Sequence, residues 1–117
     1  MKRSRMKQRN AKRKGRMFGA ECRDDKFTAW MRERWLCAIC AATWEDQTTP
    51  TEVEHWVPKS KGGRDRGDTF PTCAKHREMR HGSPLKFAAL MRKLHLSGKR
   101  LCAWYELEYA KEFERCP

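Results

Sequence analysis

The sequence predicts a small α+β domain, and three observations support this fold class. The chain has 117 residues, a length that suits one domain with a limited apolar core. Segments with helical spacing of apolar residues flank two short segments with the features of strands. Two cysteine-containing pairs, Cys37-Ala38-Ile39-Cys40 and Cys73-Ala74-Lys75-His76, enclose those strands. Small domains often need such a cross-linking group in order to fold.

The first predicted element is a helix that Asp24 or Asp25 caps and that ends near Leu36. Its apolar residues occur at helical spacing and form one core-facing stripe: Phe27, Trp30, Met31 and Trp35. A tight turn over Cys37–Cys40 follows. Residues 41–50 are rich in threonine and are predicted to form a loop.

A strand is predicted from Thr51 to Val57, and Pro58 ends it. Successive side chains of a strand point to opposite faces. Val53, His55 and Val57 therefore share one face, and Glu54 and Trp56 the other. Residues 59–68 read as a charged, glycine-containing loop, and residues 70–72 as a short second strand.

Three helices are predicted in the last part of the chain. The first runs from about Cys73 to Arg80, and the second begins at Ser83-Pro84 and ends near His95. The inward face of the second would contain Leu85, Ala88, Ala89, Met91 and Leu94. Ser97-Gly98 is expected to separate it from a last helix over residues 101–113.

The two pairs have the spacing of zinc ligands. Two residues between ligands allow one tight turn to direct both side chains at the same ion, and four such ligands form a closed tetrahedral site. The sequence therefore predicts structural Zn²⁺ bound by Cys37, Cys40, Cys73 and His76. Cys22, Cys102 and Cys116 lack this spacing and are expected to be reduced thiols.

Positive charge is concentrated at the N-terminus. The net charge is +12, and residues 1–19 contain nine Lys or Arg and no acid. We expect a disordered basic tail over residues 1–20 and a folded domain over residues 21–117, with nucleic acid as the partner. The mean hydropathy of −0.99 argues against a membrane span. No apolar stretch follows the basic residues, so a secretory signal is not expected. We therefore expect a cytoplasmic location.

Residues 37–82 resemble the HNH endonucleases, the His-Me-finger or ββα-metal family. The resemblance rests on the zinc pairs, on Glu54-His55-Trp56-Val57-Pro58 and on Gly62-Gly63. The family's first strand carries Asp-His-Ile-x-Pro, and a Gly-Gly loop follows it. The resemblance implies a ββα-metal fold, with one helix before it and two after it.

The resemblance also implies a catalytic site. His55 would be the general base, while Glu54 and Asp68 would bind a catalytic Mg²⁺ or Mn²⁺. Asp68 stands where the family has Asn, and Arg77 stands where it has a histidine. Arg77 would contact phosphate, and His81, one helical turn later, would replace the missing ligand. Alternatively, His76 binds the catalytic metal and zinc takes another fourth ligand.

The implied activity is metal-dependent hydrolysis of nucleic acid, with DNA as the expected substrate. By analogy with the family, the protein would come from a bacteriophage or a bacterium. Basic residues in and near the charged loop would contact phosphates: Lys59, Lys61, Arg64, Arg66 and Arg80. The alternative is a catalytically inactive zinc protein that binds nucleic acid or serves in an assembly.

Overall fold

The structure is a computed structural model that describes residues 22–114. The predicted basic tail over residues 1–20 and Cys116 lie outside this range. The elements in chain order are α1 (Asp25–Arg34), α2 (Ala38–Thr43), β1 (Glu52–His55), a 3-10 turn (Lys59–Lys61), β2 (Thr69–Thr72), α3 (Ala74–Gly82), α4 (Pro84–Lys93) and α5 (Gly98–Phe113). The predicted α+β class is confirmed for the described part of the chain.

The two strands form an antiparallel hairpin, and α3 follows it directly. The register pairs Glu52 with Thr72, Val53 with Pro71, Glu54 with Phe70 and His55 with Thr69. Every residue of β2 is buried, because α1, α2 and α5 pack around it. The hairpin is thus the centre of the domain, and the side chains of Glu54 and His55 project from its β1 strand.

Helix α1 begins as the sequence predicts. The Asp24 side chain accepts a hydrogen bond from the Phe27 backbone N–H at 3.0 Å, which satisfies one of the unpaired donors of the first turn. Phe27 and Met31 are fully buried in the core. Trp30 is also buried, and its Nε1 donates to Glu112 of α5 at 2.6 Å. The predicted aromatic stripe therefore attaches α1 to α5.

Three local predictions are wrong. Residues 41–43 continue helix α2 and are not loop. Leu85 and Ala89 are exposed, because the inward face of α4 is formed by Phe87 and Met91. Helix α5 begins at Gly98 and not at residue 101, and the Ser97 side chain caps it by accepting a hydrogen bond from the Arg100 backbone N–H.

The loop between the strands folds back against the end of β1. A Cβ atom at Gly63 would lie 1.8 Å from the Val57 carbonyl oxygen, so only glycine fits this approach. The loop is then held by the backbone N–H of Asp65, which donates to the Cys22 carbonyl at 2.9 Å. Thr69 Oγ1 also donates to the Asp65 carbonyl at 2.6 Å. Asp65 is consequently fixed beside β1.

No helix between residues 22 and 114 has the length and apolar character of a membrane-spanning segment.

Candidate functional site

The four predicted zinc ligands form one buried cluster. Cys40 Sγ lies 3.7 Å from Cys73 Sγ, and His76 Nδ1 lies 3.4–3.6 Å from the sulfur atoms of Cys37, Cys40 and Cys73. Zinc–sulfur bonds of about 2.3 Å and zinc–nitrogen bonds of about 2.0 Å give tetrahedral edges of about 3.8 Å and about 3.5 Å. The distances therefore fit a tetrahedral metal site and are consistent with structural zinc.

Local structure explains why these side chains converge. Cys37 caps the N-terminus of α2, and its sulfur accepts a hydrogen bond from the Cys40 backbone N–H at 3.4 Å. Cys73 occupies the same position at α3, which places His76 in the first turn of that helix. The Cys37 backbone N–H donates to Gln47 Oε1 at 2.6 Å. The cluster thus joins α2 to the junction of β2 and α3.

Burial keeps Cys40 and His76 uncharged when no ion is bound to the cluster. Burial raises the pKa of the Cys40 thiol to about 12, so without an ion it keeps its proton at neutral pH. Burial also lowers the pKa of His76, which favours the neutral imidazole that a metal requires. Glu45 Oε1 lies 3.4 Å from His76 Nε2, the nitrogen that faces away from the cluster. A carboxylate in this place orients a metal-binding imidazole.

His55 has a carboxylate partner that the sequence analysis did not identify. His55 Nε2 lies 2.9 Å from Asp65 Oδ1, and Asp65 is only 3% exposed. The other oxygen, Asp65 Oδ2, accepts the Asp24 backbone N–H at 2.7 Å. When Nε2 carries the proton and donates it to Asp65 Oδ1, the lone pair of the neutral ring lies on His55 Nδ1. Within residues 22–114, Nδ1 has no protein hydrogen-bond partner.

The imidazole of His55 opens into a cleft whose lining includes both cationic and acidic side chains. The side chain is 22% exposed, and the cleft has a volume of about 340 Å³. Its other lining residues come from α1, from the segment before it and from the hairpin: Arg23, Asp25, Thr28, Arg32, Val53, Lys59 and Asp65. Arg32 and Lys59 form no ion pair in the described part of the chain. An oriented imidazole beside unpaired cations is suited to a negatively charged ligand that contains a phosphate.

Glu54 points to the opposite face of β1, as strand alternation predicts. The residue is 4% exposed, and its Oε2 lies 2.7 Å from Arg80 Nη1 and 2.7 Å from His81 Nε2. Arg77 Nε lies 3.4 Å from the other carboxylate oxygen. Arg77 and His81 therefore meet Glu54, on the α3 side of the hairpin. His55 faces the α1 side.

The predicted Mg²⁺ or Mn²⁺ ligands do not share a site. Asp68 Oδ2 accepts the Arg64 backbone N–H at 2.9 Å, whereas the charge of Glu54 is balanced by Arg80. Cys37, Cys40, Cys73 and His76 are the only group of three or more potential metal ligands among the described residues. The structure therefore does not support a site for Mg²⁺ or Mn²⁺ at Glu54 and Asp68.

Two of the five residues predicted to contact phosphate form ion pairs within the protein. Arg66 forms ion pairs with Glu106 and Glu114, and these carboxylates raise its pKa further. Arg80 binds Glu54 and the backbone carbonyls of residues 55 and 56. The remaining three side chains are exposed and form no ion pair in residues 22–114: Lys59, Lys61 and Arg64.

Comparisons of the chain with protein-family models, with curated proteins and with solved structures found no match.

Proposed function

We propose that this protein is a zinc-stabilised nuclease of the HNH type that hydrolyses phosphodiester bonds of nucleic acid, with DNA as the expected substrate. The observation that carries the proposal is the hydrogen bond between His55 and the buried Asp65, at the wall of a cleft with unpaired cations. The order β1–β2–α3 and the Cys3His cluster also agree with the resemblance in residues 37–82.

In the proposed reaction, His55 acts as the general base. Its Nδ1 accepts a proton from a water molecule as the water oxygen bonds to phosphorus and the phosphorus–oxygen bond to the leaving group breaks. Asp65 holds the ring and stabilises the imidazolium that forms, the role of the carboxylate in other acid–base pairs. Arg32 and Lys59 attract the phosphate backbone and stabilise its charge.

Zinc in this proposal is structural. All four protein ligands are buried, and together they complete a tetrahedron, so no position is left for water or substrate. The ion connects α2 with the start of α3 and thereby supports the hairpin that carries His55.

The second cation implied by the resemblance does not fit the donors predicted for it. Glu54 is balanced by Arg80 and Arg77, and Asp68 binds a backbone N–H in the loop. Guanidinium groups at a carboxylate oppose binding of a divalent ion. We therefore assign no step of the reaction to Mg²⁺ or Mn²⁺ at these residues.

The ion pairs that Glu54 forms with Arg80 and Arg77 favour a second candidate. This candidate is a catalytically inactive zinc protein that binds nucleic acid or serves in an assembly. In that case the Glu54 cluster, which consists of Glu54, Arg77, Arg80 and His81, is a structural group of ion pairs that has replaced a cation site. The cleft at His55 would then bind phosphate without cleaving it.

A plasmid-nicking assay separates the two candidates. The zinc-loaded full chain is incubated with supercoiled DNA, with and without added Mg²⁺ or Mn²⁺. The nuclease proposal predicts nicking that His55→Ala reduces by at least about 100-fold, the usual contribution of a general base. Zinc content should stay unchanged, and Asp46→Asn, at an exposed position outside the cleft, should cleave normally. DNA binding without nicking by the parent protein would favour the second candidate.

A further inference from the structure

A separate cleft lies between α2 and the junction of α4 with α5. Its volume is about 390 Å³, and its walls are mainly apolar. These walls consist of Ala38, Ala41, Leu96, Leu101, Trp104 and Tyr105. His95, Ser97 and Arg100 supply the polar groups. The cleft shares no lining residue with the His55 cleft, so the proposed nuclease chemistry does not explain it.

Trp104 is the only large aromatic side chain of this lining with substantial exposure. The residue remains 45% exposed, although its ring packs edge-to-face against Trp35 at 5.3 Å and Tyr105 at 4.8 Å between centroids. These contacts fix the ring, so a planar ligand that stacks on it meets a preorganised surface. Each base that stacks on an aromatic side chain gains appreciable binding energy, whatever its identity.

The stretch of chain that supplies the α4–α5 wall of the cleft is strongly basic, and Arg100 of this stretch lines the cleft. Residues 79–105 contain six Lys or Arg and no Asp or Glu. Five of the six are exposed and form no ion pair within residues 22–114: Lys86, Arg92, Lys93, Lys99 and Arg100. A stretch with this charge favours a polyanion and disfavours a basic peptide. The ligand class that combines a planar apolar group with repeated negative charge is a nucleic-acid strand.

We infer that this cleft binds an unpaired base of a nucleic-acid strand, with the base stacked on Trp104 and the adjoining phosphates near Lys99 and Arg100. Duplex DNA does not offer such a base, so the cleft would favour single-stranded, frayed or looped substrates. The inference rests on the nucleic-acid partner of the proposed function. It does not depend on cleavage or on His55.

The test compares two labelled strands of about 12 nucleotides, a length within the usual range for one binding site. One is oligothymidine, and the other is an abasic strand with the same number of phosphates. Fluorescence anisotropy without added Mg²⁺ or Mn²⁺ measures the affinity of the full chain for each. The parent should bind oligothymidine at least about fivefold more tightly than the abasic strand, the gain of one stacked base.

Ala41→Trp fills the cleft without removing a charge, and it should reduce this preference to less than about twofold. Trp104→Leu keeps an apolar wall without the stacking ring and should have the same effect. Ala89→Trp is the matched control, because Ala89 is exposed on α4 and does not line the cleft. It should retain the full preference, as should His55→Ala.

Equal binding of the two strands by the parent would overturn the inference, as would an unchanged preference in both cleft variants. An effect of the cleft variants on self-association of the chain alone would identify a protein-binding surface and would also overturn it. If base preference is present and nicking is absent, only the proposed function fails. If nicking depends on His55 while base preference is absent, only the base-binding cleft fails.

Discussion

Trp56 is the residue that connects the end of β1 to α5. Its ring lies against Gly98, where a Cβ atom would be 2.3–2.5 Å from three ring carbons. The Arg80 guanidinium also packs on Trp56, 4.6 Å from the ring centroid. Because Trp56 follows His55 directly, this packing also fixes the strand end that carries the proposed base.

Replacing Gly98 should therefore destabilise the domain. Gly98→Ala forces the Trp56 ring to move, and overpacking of this kind costs about 1–3 kcal/mol. Urea unfolding of the zinc-loaded protein measures the decrease in stability. Gly82→Ala is the matched control, because a Cβ atom at this α3 position meets nothing within 4 Å. Equal stability of the two variants would show that the contact between Trp56 and Gly98 is not tight.

Asp65 illustrates which part of the site sequence reasoning misses. The zinc ligands could be predicted because Cys-x2-Cys and Cys-x2-His are local patterns with one geometric meaning. Asp65 meets His55 only because the loop turns back at Gly63 and is then bound by the segment before α1. A family position had pointed to Asp68 instead. The remaining signal in the sequence was weak: one acid two residues after a Gly-Gly pair.

At the scale of elements, β1 separates two clusters of charged side chains. Alternation along the strand could be predicted, and it correctly assigns Glu54 and His55 to opposite faces. Their partners could not be predicted, since Asp65 comes from the loop and Arg80 from α3. The start of α5 was also predicted wrongly, because Ser97 caps the helix and Gly98 begins it in the structure, whereas the pair resembles a loop in the sequence.

The Glu54 cluster is expected to stabilise the packing of α3 on the hairpin. Glu54→Gln leaves the partly buried Arg80 without its carboxylate and should lower the free energy of unfolding by about 2–3 kcal/mol. Glu52→Gln, which removes a more exposed partner of Arg77, should change it little. Denaturant unfolding compares them. A Glu54→Gln variant of parental stability that no longer binds a divalent cation would instead support the catalytic-metal role implied by the resemblance.

At the scale of the whole molecule, the metal cluster joins segments that are far apart in sequence. Because zinc displaces protons from ligands, its apparent affinity should increase as the pH rises, by about tenfold per pH unit for each proton displaced. The affinity rises with pH because burial raises the pKa of Cys40 to about 12 in the metal-free fold, so the thiol must lose a proton when zinc binds. Chelator competition at about pH 6 and at about pH 8 measures the slope. A pH-independent affinity would contradict thiolate ligands.

The basic N-terminal segment should add a second electrostatic contribution to the binding of DNA. Residues 1–19 contain nine of the 27 Lys and Arg residues. Removing them should weaken DNA binding and reduce the dependence of log K on log salt by about 0.9 for each phosphate that the segment neutralises. Titrations at several salt concentrations test this, with zinc content as the control. An unchanged slope would show that this segment does not bind the phosphate backbone.

The most direct test of the proposed base is a double-mutant cycle in nicking rate. The parent, His55→Ala, Asp65→Asn and the double variant are compared at equal zinc content. If Asp65 acts only through the imidazole, Asp65→Asn should slow the parent markedly and should have no further effect once His55 is replaced. The same fold reduction in both backgrounds would contradict a catalytic pair.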